Sequence, residues 1–157
     1  MIPLKINGKH LCEIFEDISV ANMSEEQIQA YSLSKQMFPT TVDLTSETYS
    51  RDAERTADYE LERLTIVNRK AKPTFTWSLI KAEYVQNLLL FLNYDYNFKD
   101  AQDIVKPREA DTILVTYRDF IGLRTINAYL GQTLDGIFVE YEGVQYWENF
   151  TISFPER

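Results

Sequence analysis

The C-terminal half of the chain constrains the fold most, because a single amphipathic helix is followed there by a series of alternating segments. Apolar residues recur every three or four positions from Ser78 to about Leu92, which predicts a helix with one buried face. Four later segments alternate apolar and polar residues and predict strands: Thr112–Arg118, Leu123–Leu130, Ile137–Glu142 and Tyr146–Phe154. Turn residues separate these segments at a spacing of about ten residues, which is typical of an antiparallel sandwich or barrel. We therefore expect an α+β protein, mainly an antiparallel β-sandwich or barrel, with one packed α-helix at about 78–92.

The N-terminal residues predict a β-hairpin. Asn7-Gly8 favours the positive φ angles of a two-residue turn, and it would join a strand at Ile2–Ile6 to one at Lys9–Ile14. Farther along, Ser24 is followed three positions later by Gln27, the pattern of a capping box. That pattern predicts a short surface helix over Ser24–Lys35.

Three more strands are expected in the middle of the chain, at Thr41–Tyr49, Tyr59–Asn68 and Ala71–Trp77. Pro73 lacks an N–H group, so it predicts either an edge position or an irregular start for the last of these strands. We expect one domain over residues 1–157, with insertions or long loops at 19–50 and 93–110.

Composition narrows the classes of function. The chain has 157 residues, of which 45% are apolar, so it can build a substantial core. Its net charge of −8 disfavours general binding to phosphate backbones and to anionic membrane surfaces. No apolar stretch approaches a membrane span and no signal peptide is recognisable, so we expect a soluble protein made in a reducing compartment. A single cysteine, Cys12, allows neither an internal disulfide nor a zinc site with several cysteines.

The sequence contains no recognisable catalytic constellation. His10 and Cys12 lie two residues apart, but no third group is evident that would orient the histidine. The carboxylate pairs Glu60/Glu62 and Glu140/Glu142 are interpreted as solvated strand faces. With five glycines, no phosphate-binding glycine fingerprint can be drawn. We predict no catalytic, cofactor-binding or metal-binding residues and no enzymatic activity.

A densely charged segment at Ser50–Asp58 is interpreted either as a solvated loop or as an arm that contacts a neighbouring subunit. The candidate contact residues are of mixed sign: Arg51, Asp52, Glu54 and Arg55. Mixed signs permit complementary pairing between identical copies, as occurs in rings built from heterologous contacts.

Several motifs in this order resemble a family of small, uncharacterised tail proteins from phages and prophages of Firmicutes. The similarity covers Met1–Cys12 and about Asp52–Arg157. The matching motifs are the Lys5–Gly8 hairpin, the Asp52-x-x-Arg55 arm, Trp77 before a helix, Tyr129-Leu130-Gly131, and Trp147-Glu148-Asn149-Phe150.

The resemblance implies a tail-tube-like sandwich or barrel that serves as a structural protein of a phage tail, in the tube, the distal tail or the baseplate hub. It also implies a ring of identical subunits, a hexamer or trimer, in contact with other tail proteins. Such a protein is located in the virion after synthesis in the bacterial cytoplasm, and it uses no cofactor, binds no specific nucleic-acid sequence and contacts no membrane. Trp77 and Trp147 would be core anchors.

Two other classes of function stay open at this point. A carbohydrate- or receptor-binding module of a phage particle would use exposed aromatic residues such as Tyr94, Tyr96 and Tyr146. An enzyme with a carboxylate site would need a deep cleft that holds two carboxylates with shifted pKa values.

Overall fold

The computed structural model describes residues 1–48, 69–92, 113–131 and 134–157. Within them, three helices are formed: α1 (Leu11–Glu16), α2 (Glu25–Ser34) and α3 (Ala82–Phe91). Eight strands account for most of the rest: β1 (Leu4–Ile6), β2 (Lys9–His10), β3 (Thr41–Thr48), β4 (Arg69–Lys81), β5 (Ile113–Arg118), β6 (Leu123–Ala128), β7 (Asp135–Tyr141) and β8 (Val144–Ser153).

The strands form two antiparallel four-stranded sheets. Sheet A has the order β2-β1-β5-β6, and sheet B has the order β3-β4-β8-β7. The sheets share one core, in which Phe75 of sheet B packs edge-on against Tyr117 of sheet A with ring centroids 6.3 Å apart. The expectation of an α+β protein built mainly from antiparallel sheets is confirmed. The described residues contain three helices: the expected ones near 24–35 and 78–92, and α1, which was not expected.

Alternation along the strands explains which face of each sheet is buried. In β5, Ile113, Val115 and Tyr117 are buried, whereas Leu114 and Arg118 are exposed. Because successive side chains of a strand point to opposite faces, this single pattern places β5 with one face on the core and one in solvent.

The last residues of the chain connect the two sheets. On the sheet B side, the N–H groups of Phe154 and Glu156 donate to the carbonyls of Pro73 and Ala71, at 3.0 and 2.8 Å. On the sheet A side, the N–H of Tyr129 donates to the carbonyl of Pro155 at 3.1 Å, and the N–H of Arg157 donates to that of Asn127 at 2.8 Å. The C-terminal segment, residues 154–157, therefore lies between β4 and β6 and closes one side of the sandwich.

Two local sequence signals are confirmed. Asn7 and Gly8 have φ angles of 52° and 75° and form the turn between β1 and β2. Ser24 caps α2: its hydroxyl accepts from the N–H of Gln27 at 3.2 Å, and the Gln27 side chain accepts from the N–H of Ser24 at 3.0 Å.

The predicted second strand of the hairpin, Lys9–Ile14, is wrong beyond His10. Residues from Leu11 onward form α1 and bury Leu11, Cys12, Ile14 and Phe15. These positions lie on one side of a helix, which the core accepts more readily than a strand that would bury only every second residue.

The predicted start of the long helix at Ser78 is also wrong. Strand β4 continues to Lys81, and α3 begins at Ala82. Pairing with β8 extends to Lys81↔Tyr146, and Ser78 donates its N–H to Thr40 Oγ1 at 2.9 Å instead of capping a helix. Cross-strand pairing here prevails over a local capping preference.

Pro73 does not mark an edge strand, because β4 lies in the interior of sheet B. The nitrogen and the carbonyl of Pro73 both point toward the side of β8, at a level just beyond the last residue of β8. There the Pro73 carbonyl accepts a hydrogen bond from the N–H of Phe154. The missing N–H therefore costs no ladder hydrogen bond within the named strands.

Within the range 19–50, expected to be an insertion or long loop, the helix expected at Ser24–Lys35 and the strand expected at Thr41–Tyr49 are both formed, as α2 and β3, and β3 pairs with β4 over its full length. The strand expected at Tyr59–Asn68 and the loop expected at 93–110 lie outside the described residues.

Candidate functional site

The side chains considered for catalysis do not form a reactive arrangement. Cys12 is fully buried at the start of α1, and burial raises the pKa of its thiol, so the nucleophilic thiolate is disfavoured. His10 precedes it, with Nε2 3.7 Å from Glu25 Oε1. Glu140 lies in β7, whereas Glu142 lies in the following turn with a φ of 52°, so they do not share a strand face. Glu60 and Glu62 lie outside the described residues.

Within the described ranges, no group of three or more His, Cys, Asp or Glu side chains is placed to hold a metal ion.

An open cleft of about 430 Å³ lies between α1 and α3. At its border, Glu16 accepts hydrogen bonds from the hydroxyls of Tyr31 and Tyr84, the latter at 2.5 Å. Burial raises the pKa of Glu16, but these hydrogen bonds and the charges of Lys35 and Lys81 outweigh it and leave that pKa below its usual value. The Glu16 carboxylate thus links α1 to α2 and α3 through hydrogen bonds, so its oxygens serve to hold these helices together.

The β7–β8 ribbon (residues 135–153) is the most unusual surface feature of the described residues. A tight turn at Glu142-Gly143, with φ angles of 52° and 81°, joins the two strands. Ile137 and Phe138 lie on opposite faces of β7, and their side chains are 56% and 52% exposed. Tyr141 and Val144 near the turn are exposed as well. A strand that exposes apolar side chains on both faces has the character of an interface.

Among the described residues, β7 pairs only with β8, and its other side has no partner strand. A two-residue turn with two positive φ angles makes Tyr141 and Val144 a hydrogen-bonded pair. Hydrogen bonding alternates along an antiparallel pair, so the N–H and C=O groups of Phe138 and Glu140 point away from β8. Of the features that commonly protect an edge, β7 contains no Lys or Pro; its protection is limited to Asp135, Glu140 and an irregularity in pairing between Asp135 and Ile137.

A second long edge belongs to β3, on the opposite side of sheet B. Leu44 faces Pro73, which has no N–H and whose carbonyl is used by Phe154. Leu44 and Pro73 are therefore a non-hydrogen-bonded pair. Because hydrogen-bonded and non-hydrogen-bonded pairs alternate along two antiparallel strands, the backbone groups of Val42 and Leu44 point away from β4.

The edges of sheet A are less available among the described residues. Strand β2 has two residues, and the C-terminal segment covers the end of β6.

The β5–β6 turn forms another exposed apolar feature. Phe120 and Leu123 are largely exposed, and Ile121 is 98% exposed. Arg124 anchors the turn by pairing with Asp119 and Glu156, each at 3.2 Å.

The two tryptophans expected to be core anchors differ in how deeply they are buried. Trp77 is 1% exposed and donates its indole N–H to the carbonyl of Met37 at 2.8 Å. Trp147 is half-buried and packs edge-on against Phe138 at a centroid distance of 5.3 Å, so it supports the ribbon.

The expected subunit-contact arm, Arg51, Asp52, Glu54 and Arg55, lies outside the described residues, as do Tyr94 and Tyr96. Sequence reasoning missed the open β7 edge. The available signal was that both alternating sets of β7 residues are apolar, with Phe138 between Ile137 and Val139.

Comparisons of this chain with family models, with curated proteins and with solved structures found no match. None of the helices in the described residues has the length and apolar character that a membrane crossing requires.

Proposed function

We propose that this protein is a non-enzymatic structural component of a phage or prophage tail that assembles as a ring of identical subunits. The observation that carries the proposal is the β7–β8 ribbon, whose edge strand exposes Ile137 and Phe138 on opposite faces. An uncovered apolar edge strand promotes association with another chain, and proteins that work alone usually protect it. A partner that covers β7 would remove both the apolar surface and the open backbone groups from water.

Sheet geometry favours a ring over a closed pair. The two long edges, β3 and β7, lie on opposite sides of one sheet, so they are different surfaces. Contacts between different surfaces of identical subunits are heterologous, and they form rings when the rotation closes.

The placement in a phage tail rests on the resemblance of the motifs from Asp52 to Arg157 to small tail proteins. The net charge of −8 supports it, because an acidic lumen lets DNA pass without adhesion. Within this proposal the protein contacts neighbouring tail proteins above and below the ring and is part of the virion.

A carbohydrate- or receptor-binding module is the second candidate. It is favoured by the neighbouring rings of Tyr141 and Tyr146, whose centroids are 6.1 Å apart beside Glu148. Aromatic rings next to a carboxylate are common in sugar-binding surfaces, but such sites are usually concave, and this pair lies on a projecting ribbon.

The oligomeric state separates these candidates. Light scattering coupled to size-exclusion chromatography, followed by negative-stain microscopy, is expected to show a trimeric or hexameric ring. The double substitution Ile137→Ser with Phe138→Ser is expected to abolish the ring, whereas Leu33→Ser, at an exposed apolar position on α2, leaves it intact. A monomer that binds glycans on an array, with binding lost in Tyr141→Ala, would replace the ring proposal with the second candidate.

A further inference from the structure

We infer that the β7 edge of one copy pairs antiparallel with the β3 edge of the next copy, so that sheet B continues from subunit to subunit. This inference rests on the proposed ring and names the two strands that form its joint. It follows from three features: the available edges, the strand directions and the distribution of charge.

The first feature is that both edges present backbone groups that have no partner strand among the described residues, in the same alternation. Val42 and Leu44 point theirs outward from β3, as Phe138 and Glu140 do from β7. In an antiparallel joint these residues form the hydrogen-bonded pairs, so Asp43 of β3 faces Ile137, Val139 or Tyr141, depending on register. The side-chain contacts of the joint are thereby limited to a small set.

The second feature is strand direction. Sheet B contains four strands that are antiparallel throughout, so its two edge strands run in opposite directions. A rotation about an axis roughly along the strands keeps the direction of each strand. The β3 strand of the next copy therefore lies antiparallel to β7, and the alternation of sheet B continues across the joint.

The third feature is charge, which favours pairing of β7 with β3 over pairing of β7 with the β7 of another copy. The β7–β8 ribbon carries four carboxylates and no basic residue: Asp135, Glu140, Glu142 and Glu148. Among the described side chains of β3 and β4, the only carboxylate is Asp43, against Lys70, Lys72 and Lys81.

Two ribbons brought together would repel each other, whereas a ribbon placed beside the β3–β4 margin meets a surface of opposite net charge. Complementary potentials of this kind determine which partner is accepted.

Paired cysteines test the joint directly, with the native Cys12 left in place because it is buried. Three double variants combine Asp43→Cys with Ile137→Cys, Val139→Cys or Tyr141→Cys. Under mild oxidation, one of the three is expected to give a ladder of covalent oligomers that extends beyond the dimer on a non-reducing gel. The matched control, Asp43→Cys with Phe138→Cys, places the two thiols on opposite faces and is expected to give no ladder.

Backbone blocking provides an independent measurement that needs no engineered bond. Glu140→Pro removes an outward N–H without removing a β7–β8 hydrogen bond, and Glu140→Gln removes the charge but keeps the N–H. Light scattering is expected to show at least a tenfold loss of assembled protein for Glu140→Pro, on the order expected for one lost joint, and a much smaller loss for Glu140→Gln. Circular dichroism confirms that each variant is folded.

Each alternative outcome has a definite meaning. The single variant Val139→Cys is oxidised in parallel. A disulfide-linked dimer of this single variant, with no ladder from any of the three double variants, shows symmetric β7 pairing and overturns the inference. A wild-type ring that no pair cross-links and that Glu140→Pro leaves intact overturns the inference but preserves the proposed function. A wild-type protein that stays monomeric at every concentration overturns the ring and the joint together.

Discussion

The indole N–H of Trp77 donates to the backbone carbonyl of Met37 at 2.8 Å, and this bond ties the segment before β3 to the middle of sheet B. Trp77 also packs against Phe15 and Phe150, with ring centroids 6.5 and 5.7 Å away. One side chain thus links α1, β8 and the approach to β3 in the interior of the molecule.

Replacing Trp77 by Phe is expected to lower the free energy of unfolding by about 2–4 kcal/mol, because it leaves a cavity and an unpaired buried carbonyl. Urea denaturation followed by circular dichroism measures the change. Trp147→Phe is the matched control, since Trp147 is half-buried, and its cost should stay below about 1.5 kcal/mol. Equal costs for the two variants would contradict the assignment of Trp77 as the principal anchor.

The Glu16 carboxylate predicts a pH dependence of stability. Its pKa in the folded protein is lower than its usual value, so it stabilises the fold above its unfolded pKa, and this contribution is lost as the pH falls through the folded pKa. Glu16→Gln is therefore expected to destabilise the protein at neutral pH, by about 1–2 kcal/mol, and much less in acid. Thermal melts across the acidic range measure the difference.

The control for this prediction is Glu26→Gln, an exposed carboxylate in the first turn of α2. It should change the melting temperature little at either pH. A loss of stability in Glu16→Gln that is the same at neutral and acidic pH would contradict the role of the Glu16 charge.

Glu156 is expected to control how firmly the C-terminal segment is held. Its carboxylate accepts from the N–H of Ala71 at 2.9 Å and pairs with Arg124 at 3.2 Å. In Glu156→Gln the ion pair is lost, and the amides of Tyr129 and Arg157, which bond to the carbonyls of Pro155 and Asn127, should exchange with deuterium faster. Exchange measured by mass spectrometry should leave the β4–β8 amides unaffected. Uniform acceleration across the molecule would show a global effect instead.

Cys12 is expected to be inert in the folded protein. The thiol is buried and its pKa is raised by burial, so both access and ionisation oppose its reaction with a disulfide reagent. Near neutral pH, Ellman's reagent should give the absorbance of a reacted thiol only when guanidinium chloride unfolds the chain. Rapid labelling of native protein would show that the α1 region opens frequently.

The sequence predicted best what is determined by neighbouring residues. The Asn7-Gly8 turn and the Ser24–Gln27 cap depend on contacts within a few positions, and both are present. The end of β4 could not be predicted in this way, because Lys81 stays in a strand only through its pairing with Tyr146. Pro73 was misjudged for the same reason: its position is tolerated because β8 ends nearby, a fact that lies far along the chain.

The candidate site was predictable only in part. The strand expected at Ile137–Glu142 is formed, as β7, but the sequence pattern alone does not reveal whether a second layer covers it. Ile137 and Phe138 are exposed because nothing else among the described residues covers them, which is a property of the assembled fold. The arm at Arg51–Arg55 stays a prediction, because it lies outside the described residues.

The central position of β4 has a consequence during synthesis. Its partner β8 leaves the ribosome some 70 residues later, so Phe75 and Trp77 remain without their β8 partners while that stretch is synthesised. Long-range pairing of this kind slows folding and leaves apolar surface and unpaired strand edges exposed in the nascent chain. Yield in the cell should therefore depend on chaperones that hold the nascent chain as well as on the stability of the folded protein.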